Sequence, residues 1–460
     1  MTTKPFLSRF LALVSACVVA AGCHKNQPPS TAAPGAAPQT PEIVSAEKTS
    51  FDEVTAKLNK GGNLFVYLST EQALRGLSNR IYTLSNVASA WPGMPSDRRE
   101  NVDRALGALN EFADKSGIDQ ISGIGMSSIA REPGFYYGKM VIYHYEGQSS
   151  GFIWSLFGEA PHPLEVDLLP ESTALALFTD FDLPEAWTNM SNFLAGSGIP
   201  GTAEALKQAP VQFQQHTGLG LDDVLHSLGG AYGMIFTLDQ HKKITLPVPG
   251  HPLEMPSPGI AIVIKVNSDL IFNRVDELLK ENPLVTKVDD PDLKMRTMNI
   301  PLPISVDVRP SIARIGDYLV VASSDTVVRE ILAVESGKNQ GYTASDEFKK
   351  LSQGIPDRGN NFVLVTSAFS RTMVQVHDQF AGQEAAAGHT FPQFFNGQSN
   401  SFSYSVGVNG PEGWEGFANG NHNMQTLVVP AAAAVGVAAA FAIPNFVKAR
   451  EAAQQKSSQP

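Results

Sequence analysis

Leu169-Pro170-Glu171-Ser172-Thr173, running straight into Ala174-Leu175-Ala176-Leu177-Phe178-Thr179, is the stretch on which the fold turns. A proline-containing turn leads into a short strand, Ala174–Thr179. Downstream, Leu183–Leu194 and Ala203–His216 read as helices, the second stopping at Thr217-Gly218, where a glycine suits a helix C-terminus. Leu219-Gly220-Leu221-Asp222-Asp223-Val224-Leu225 then leads to a strand around Tyr232-Gly233-Met234.

Upstream, the same order recurs. Leu64-Phe65-Val66-Tyr67-Leu68-Ser69 has the β-branched and aromatic content and the length of a buried strand. A helical stretch carries Leu74, Leu77, Ile81 and Leu84 at spacings of three and four, and a second carries Val102, Leu106, Leu109 and Phe112, ending at Ser116-Gly117. Ile118-Asp119-Gln120-Ile121 mirrors the Leu219 region, strands follow near Ser122–Ala130 and Phe135–Tyr145, and Tyr137-Gly138-Lys139 mirrors Tyr232-Gly233-Met234. An offset of roughly a hundred residues is a domain-sized period.

From Gly259 a third region is expected. Strands are predicted at Ile260–Val266, Met295–Ile300, Ser305–Val308, Tyr318–Ala322 and Asn361–Val365, with helices at Ile271–Leu279, Thr326–Val334 and Asp346–Leu351. Phe402–Val408 and Trp414–Ala418 are expected to form a hairpin across Asn409-Gly410. Leu246–Pro258, with five prolines, reads as a loop, and Gly382–Asn400 as irregular. The fold class is therefore α+β, repeated modules of antiparallel sheet with helices on one face, plus a C-terminal apolar helix.

Lys4 and Arg9 precede an uncharged run from Phe10 to Ala21, too short to span a bilayer and suited to a secretory signal. Val19-Ala20-Ala21-Gly22-Cys23 resembles the lipobox of bacterial lipoproteins, which implies cleavage before Cys23 and acylation of that cysteine. Gln27 to Pro41 (QPPSTAAPGAAPQTP) has no charge and no large apolar residue and reads as a spacer. Expected boundaries are 1–22 signal peptide, 23–45 lipidated Pro/Ala-rich linker, 46–165, 166–258 and 259–420 as three α+β modules, and 421–460 as apolar helix and polar tail.

The only cysteines are Cys17 and Cys23, so the body beyond the anchor has no thiol for a disulfide. The formal charge of −11 becomes −13 once Lys4 and Arg9 leave with the signal, and no basic block offers a nucleic-acid surface.

The pattern "Leu-Pro-x-Ser-Thr-Ala" at 169–174 and "Gly-Leu-x-Leu-Asp" at 218–222 resembles a group of uncharacterised secreted bacterial proteins of planctomycete and verrucomicrobial type, over about residues 60 to 420. That domain family has no activity to lend. Thr426–Val447 carries no charge, and Ala439-Ala440-Phe441-Ala442-Ile443-Pro444-Asn445-Phe446 with the following KAREAAQ resembles the N-terminal helix of type IV pilins and pseudopilins. Here that helix lies at the far end of the chain, His422 stands where the family has its cleavage-site glycine and Leu427 where it has its glutamate, so the resemblance implies neither prepilin processing nor filament assembly through that glutamate. The stretch reads either as a membrane-inserted helix or as a helix packed on protein, and its small residues would let a partner helix approach.

Other motifs have plain readings. Gly196-Ser197-Gly198-Ile199-Pro200-Gly201 matches a dinucleotide fingerprint in letters, but it follows a helix and reads as a link between helices. Gly123-Ile124-Gly125-Met126-Ser127 misplaces the serine of a nucleophile elbow and reads as a strand with glycines for close packing. His216 reads as a helix-end cation and His226 as a surface residue, Val288-Asp289-Asp290-Pro291-Asp292 as an acidic turn, and Tyr136, Tyr137, Tyr143 and Tyr145 as strand aromatics. No catalytic, cofactor-binding or metal-binding residue is assigned, and Cys23 is the one modification site.

The sequence thus predicts a non-enzymatic, membrane-anchored lipoprotein of the bacterial cell envelope, facing the periplasm or the cell surface. Its partners are membrane lipid through acylated Cys23 and a membrane or helix partner for Thr426–Val447. The role is structural or protein-interaction; the alternative is a solute- or peptide-binding lipoprotein using a cleft between modules.

Overall fold

The computed structural model describes residues 48–74, 79, 81–83, 86, 96–148, 151–158, 160–196, 201–246, 253–300, 308–376 and 401–421. Cys23, the linker and Thr426–Val447 lie outside the described residues. Among those described, no helix is long and apolar enough to cross a membrane.

In chain order come helix α1 (Phe51–Ala56), strand β1 (Leu64–Ser69), α2 (Ser96–Ser116), β2 (Gly123–Glu132), β3 (Phe135–Tyr143), the two-residue β4 (His162–Pro163) and β5 (Thr173–Asp180). Next are α3 (Leu183–Gly196), α4 (Thr202–Thr217), α5 (Leu221–Ser227), β6 (Leu228–Leu246), β7 (Leu253–Val266), α6 (Leu270–Leu279), β8 (Val285–Asp290), β9 (Leu293–Met298), β10 (Ser311–Ile315) and β11 (Tyr318–Ala322). The described chain closes with α7 (Asp325–Glu335), α8 (Asp346–Leu351), β12 (Arg358–Gly359), β13 (Asn361–Val365), a helix described over 367–376, β14 (Ser403–Gly410) and β15 (Gly413–Gly420).

Among the described residues thirteen strands join one antiparallel sheet in the order β1-β2-β3-β15-β14-β13-β5-β6-β7-β11-β10-β9-β8, while β4 and β12 pair separately. The α+β class with antiparallel strands is what the sequence predicts; their joining in one large sheet, rather than in separate modules, is not. The strand order is not readable from it, because β13–β15, late in the chain, lie between β3 and β5.

Helices pack on both faces of this sheet, not on one. Strand β7 shows why: Ala261 and Val263 point into one apolar layer, while on the other face Ile264 packs with Leu319 and Phe272, and Ile260 and Ile262 stay exposed. A sheet apolar on both sides gains from cover on both, and here the second face is covered only in part. On the first face, Phe178, Phe362, Leu364, Val320 and Ile315 meet Leu168, Val328, Ile331 and Leu351 of the 165–168 turn, α7 and α8. On the second, Phe272 of α6 packs on Leu319 and Ile264, and Phe369 and Met373 of the 367–376 helix pack on Phe236, Leu175 and Val365.

The first two module-like stretches keep a shared element order, strand, helices, short helical turn and antiparallel strand pair: β1, α2, Ile118–Gln120, β2, β3 and then β5, α3, α4, α5, β6, β7. The Tyr-Gly correspondence drifts, however. Gly138 lies opposite Ser128 and Ala418 on the second face, whereas Gly233 lies against Phe178 on the first. Residue 258 falls inside β7, so a boundary there does not fall between separate sheets.

Three further expectations change. Prolines 256 and 258 are not in a loop: both sit in β7, where Pro256 faces Lys243 and Pro258 faces Leu238. There β7 has β6 on one side only, since β11 pairs from Ala261 onward, and a residue without an N–H is tolerated at such an open side. The β14–β15 hairpin turns through Pro411-Glu412, with Gly410 paired to Gly413, rather than through Asn409-Gly410. Of the acidic stretch Val288–Asp292, the first three residues end strand β8, and Pro291-Asp292 form the turn into β9.

Candidate functional site

A polar grouping lies where β4 meets the junction of β12 and β13 and the end of β5. His162 sends its Nε2 to Asp180 Oδ1 at 2.8 Å and its Nδ1 to the carbonyl of Pro163 at 2.8 Å. Asn360 donates its Nδ2 to Asp180 Oδ2 at 3.0 Å, and its own Oδ1 accepts from the Asn409 amide at 2.8 Å. Asn409 in turn donates to the carbonyl of Phe157 at 2.9 Å. Gly158 has φ +83°, and a Cβ there would fall 2.7 Å from Asp180 Oδ2, so only glycine fits.

The hydrogen bond to Asp180 raises His162 to about 9, against the desolvating effect of its half-buried site. With both ring nitrogens donating, the ring is an imidazolium at neutral pH and has no lone pair for a substrate proton. Burial raises buried Glu165 above the usual carboxylate range. The cluster is a tie that fixes the 157–165 segment to β5 and β14, and it is not arranged as a nucleophile and base.

The two edges of the sheet differ in chemistry. Edge strand β8 reads VTKVDD. Arg296 of neighbouring β9, itself buried, donates to Asp276 of α6 at 2.6 Å and to Asp289 of β8 at 2.8 Å, and its guanidinium lies 5.4 Å from the Phe272 ring centroid. Lys287 reaches Asp276 at 3.2 Å. The Arg296 hydrogen bond is the main cause that pulls Asp276 down to about 2. Charge and pairing blunt this edge.

Edge strand β1 reads LFVYLS and carries no charge. Among the described residues its one strand neighbour is β2, with Leu64 facing Ser128 and Ser69 facing Gly123. Tyr67 is held from one face by α1. Val54 and Leu58 pack with Tyr67, Val141 and Tyr143, and Phe51 meets the Tyr67 ring edge-on at 5.1 Å. Gly125 makes that approach possible, because a Cβ there would lie 2.5 Å from Val54. Beyond Tyr67 the apolar side chains stay in the open: Phe65 is 40%, Val66 36% and Leu68 56% exposed. The sequence predicts a buried strand here, and the structure places it at the rim.

The other sequence candidates find structural partners. Ser127 is buried on β2 and accepts from the Asn59 amide at 3.0 Å. Gly196 ends α3, and Gly201 precedes α4 with φ +84°, as a helix-to-helix link requires. His216 and His226 bond the carbonyls of Gln212 and Asp222 one turn back. Tyr145 donates to Glu71 at 2.6 Å, and burial with that carboxylate pushes its phenol up. Sequence reasoning missed the His162 tie, whose members have no local spacing to betray them.

No family model, curated protein or solved structure matches this chain.

Proposed function

We propose that this chain is a lipid-anchored protein of the bacterial envelope whose body serves protein–protein contact rather than catalysis. The observation that carries the reading is β1: an uncharged, apolar strand standing at a sheet edge with three large side chains in solvent, while the opposite edge is closed by ion pairs. Large exposed apolar groups on an unpaired edge mark a place where another chain adds.

The anchor rests on the lipobox at Cys23 and the uncharged spacer behind it, which holds the body off the lipid surface on the periplasmic or outer side. The shared order of elements in the β1–β3 and β5–β7 stretches supports diverged copies of one module. Thr426–Val447 supplies a second membrane or helix contact.

Two measurements test this. Metabolic labelling with a fatty acid should mark the wild type and not Cys23→Ser; equal labelling overturns the anchor. A photo-cross-linking residue placed at Phe65 should give protein adducts in intact envelopes, and one at Thr286 on β8 should not. Absence of adducts from both positions overturns the contact reading.

A further inference from the structure

We infer that the partner of β1 is β1 of a second copy of this chain, so that the sheet continues across a two-fold axis at Val66. The inference rests on the protein-contact reading and names its partner.

Strand β1 has the composition of an interior strand, yet among the described residues it has a neighbour on one side only. The mismatch is resolved if its second neighbour comes from outside the chain. An isologous contact is the economical source, since a two-fold axis presents the same patch on both sides.

The strand's own pattern suits that axis. When two copies of one strand pair antiparallel about an axis normal to the sheet, directly opposed residues must lie on the same face, so their parities match. Placing the axis at Val66 sets Leu64 opposite Leu68, Val66 opposite Val66 and Phe65 opposite Tyr67. One face becomes an unbroken aliphatic ladder, and the other a pair of aromatic contacts of the kind that stabilises adjacent strands. Phe51, half-exposed beside Tyr67, would gain a second aromatic neighbour there. Moving the axis to Tyr67 instead sets Phe65 against Ser69. No charge enters the ladder in either case. By contrast, β8 carries Lys287, Asp289 and Asp290 along its length.

A single strand pair is a small contact compared with the ~800 Å² per partner of a standard interface. Anchoring both copies in one membrane raises their effective concentration and makes such a contact sufficient.

The test uses the full, membrane-attached chain. Cys17 and Cys23 are the only native cysteines, so an introduced thiol in the body has no competitor there. Residues directly opposed in an antiparallel pair have Cα atoms ~4.5–5.5 Å apart, inside the ~4.4–6.8 Å reach of a disulfide. Under mild oxidant, Val66→Cys should run largely at twice the chain mass without reductant, while wild type and Thr286→Cys should not. Adding Leu68→Lys to Val66→Cys should cut the doubled species at least five-fold. Wild type treated with an amine-reactive cross-linker in intact membranes should also give a band at twice the chain mass, a measurement that needs no variant.

A cross-linked product of another mass overturns the second-copy inference but leaves the contact reading standing. Monomeric wild type, with no doubled Val66→Cys species, overturns the inference while adducts from the Phe65 position still decide the contact reading. A doubled species insensitive to Leu68→Lys also overturns it.

Discussion

At one rim of the sheet, β8 carries Lys287 and Asp289 and is backed by the Arg296–Asp276 pair; at the other, β1 carries Phe65, Val66 and Leu68 and no charge at all. Among the described residues both strands have one neighbour, so both present a row of backbone donors and acceptors. In β8 the side chains near that row are committed to partners inside the molecule. In β1 they are committed on one face only, through Tyr67 and α1. An edge can therefore be finished by its own chain or left for another, and the distribution of charge distinguishes the two.

The contrast can be broken most forcefully at β8. Arg296→Leu removes the buried donor to Asp276, Asp289 and two carbonyls, and should cost about 2–3 kcal/mol in denaturant unfolding. A loss within error would mean that the ion pairs do not hold this edge.

At the β1 end, Gly125→Val drives a side chain into Val54 and Leu58 and should cost ~1–3 kcal/mol by overpacking, with α1 displaced from Tyr67. Unchanged stability would show that α1 does not grip this rim.

The pH dependence sharpens the picture next. Asp276 is held below its ordinary 3.8, at about 2, so its contribution is present above 3.8 and lost as pH falls through 2. His162 is raised from 6.5 to about 9, so its contribution is full below 6.5 and lost as pH rises through 9. Thermal unfolding of the wild type should weaken on both limbs. Arg296→Leu should flatten the acid limb and His162→Gln the alkaline one; a limb that keeps its slope in its variant would detach it from that group.

The smallest effect belongs to β1 itself. Leu68→Lys should change the folding stability of the isolated chain by no more than ~0.5 kcal/mol, as at a surface site without partners. A large loss, measured by chemical denaturation at dilution, would show that this side chain serves the fold and not a contact.

Local elements are readable wherever apolar residues dominate. Strands Tyr318–Ala322 and Asn361–Val365 and helix Asp346–Leu351 have the bounds that their sequence predicts. β8 and β10 escape notice because Lys287, Asp289 and Arg314 interrupt their apolar pattern, and the partners that make those charges tolerable are distant in sequence. The prolines of β7 mislead for the opposite reason, since a strand with one free side needs fewer N–H groups. Of the candidate sites, the composition of β1 is legible but its position is not. A strand's place in a sheet is set by partners such as β15, which only tertiary contacts reveal. The His162 tie is further out of reach, because it joins carbonyls and side chains as far as 252 residues apart.

The intercalation of β13–β15 between β3 and β5 also sets a timetable. A chain that emerges from its N-terminus completes β1–β3 and β5–β7 while the strands that will join them are still unmade. Until Gly420 arrives, the molecule has four raw edges instead of two, and closure demands contacts of high sequence separation, which form slowly. Whatever holds the nascent chain apart during that wait is as much a requirement of this architecture as its core.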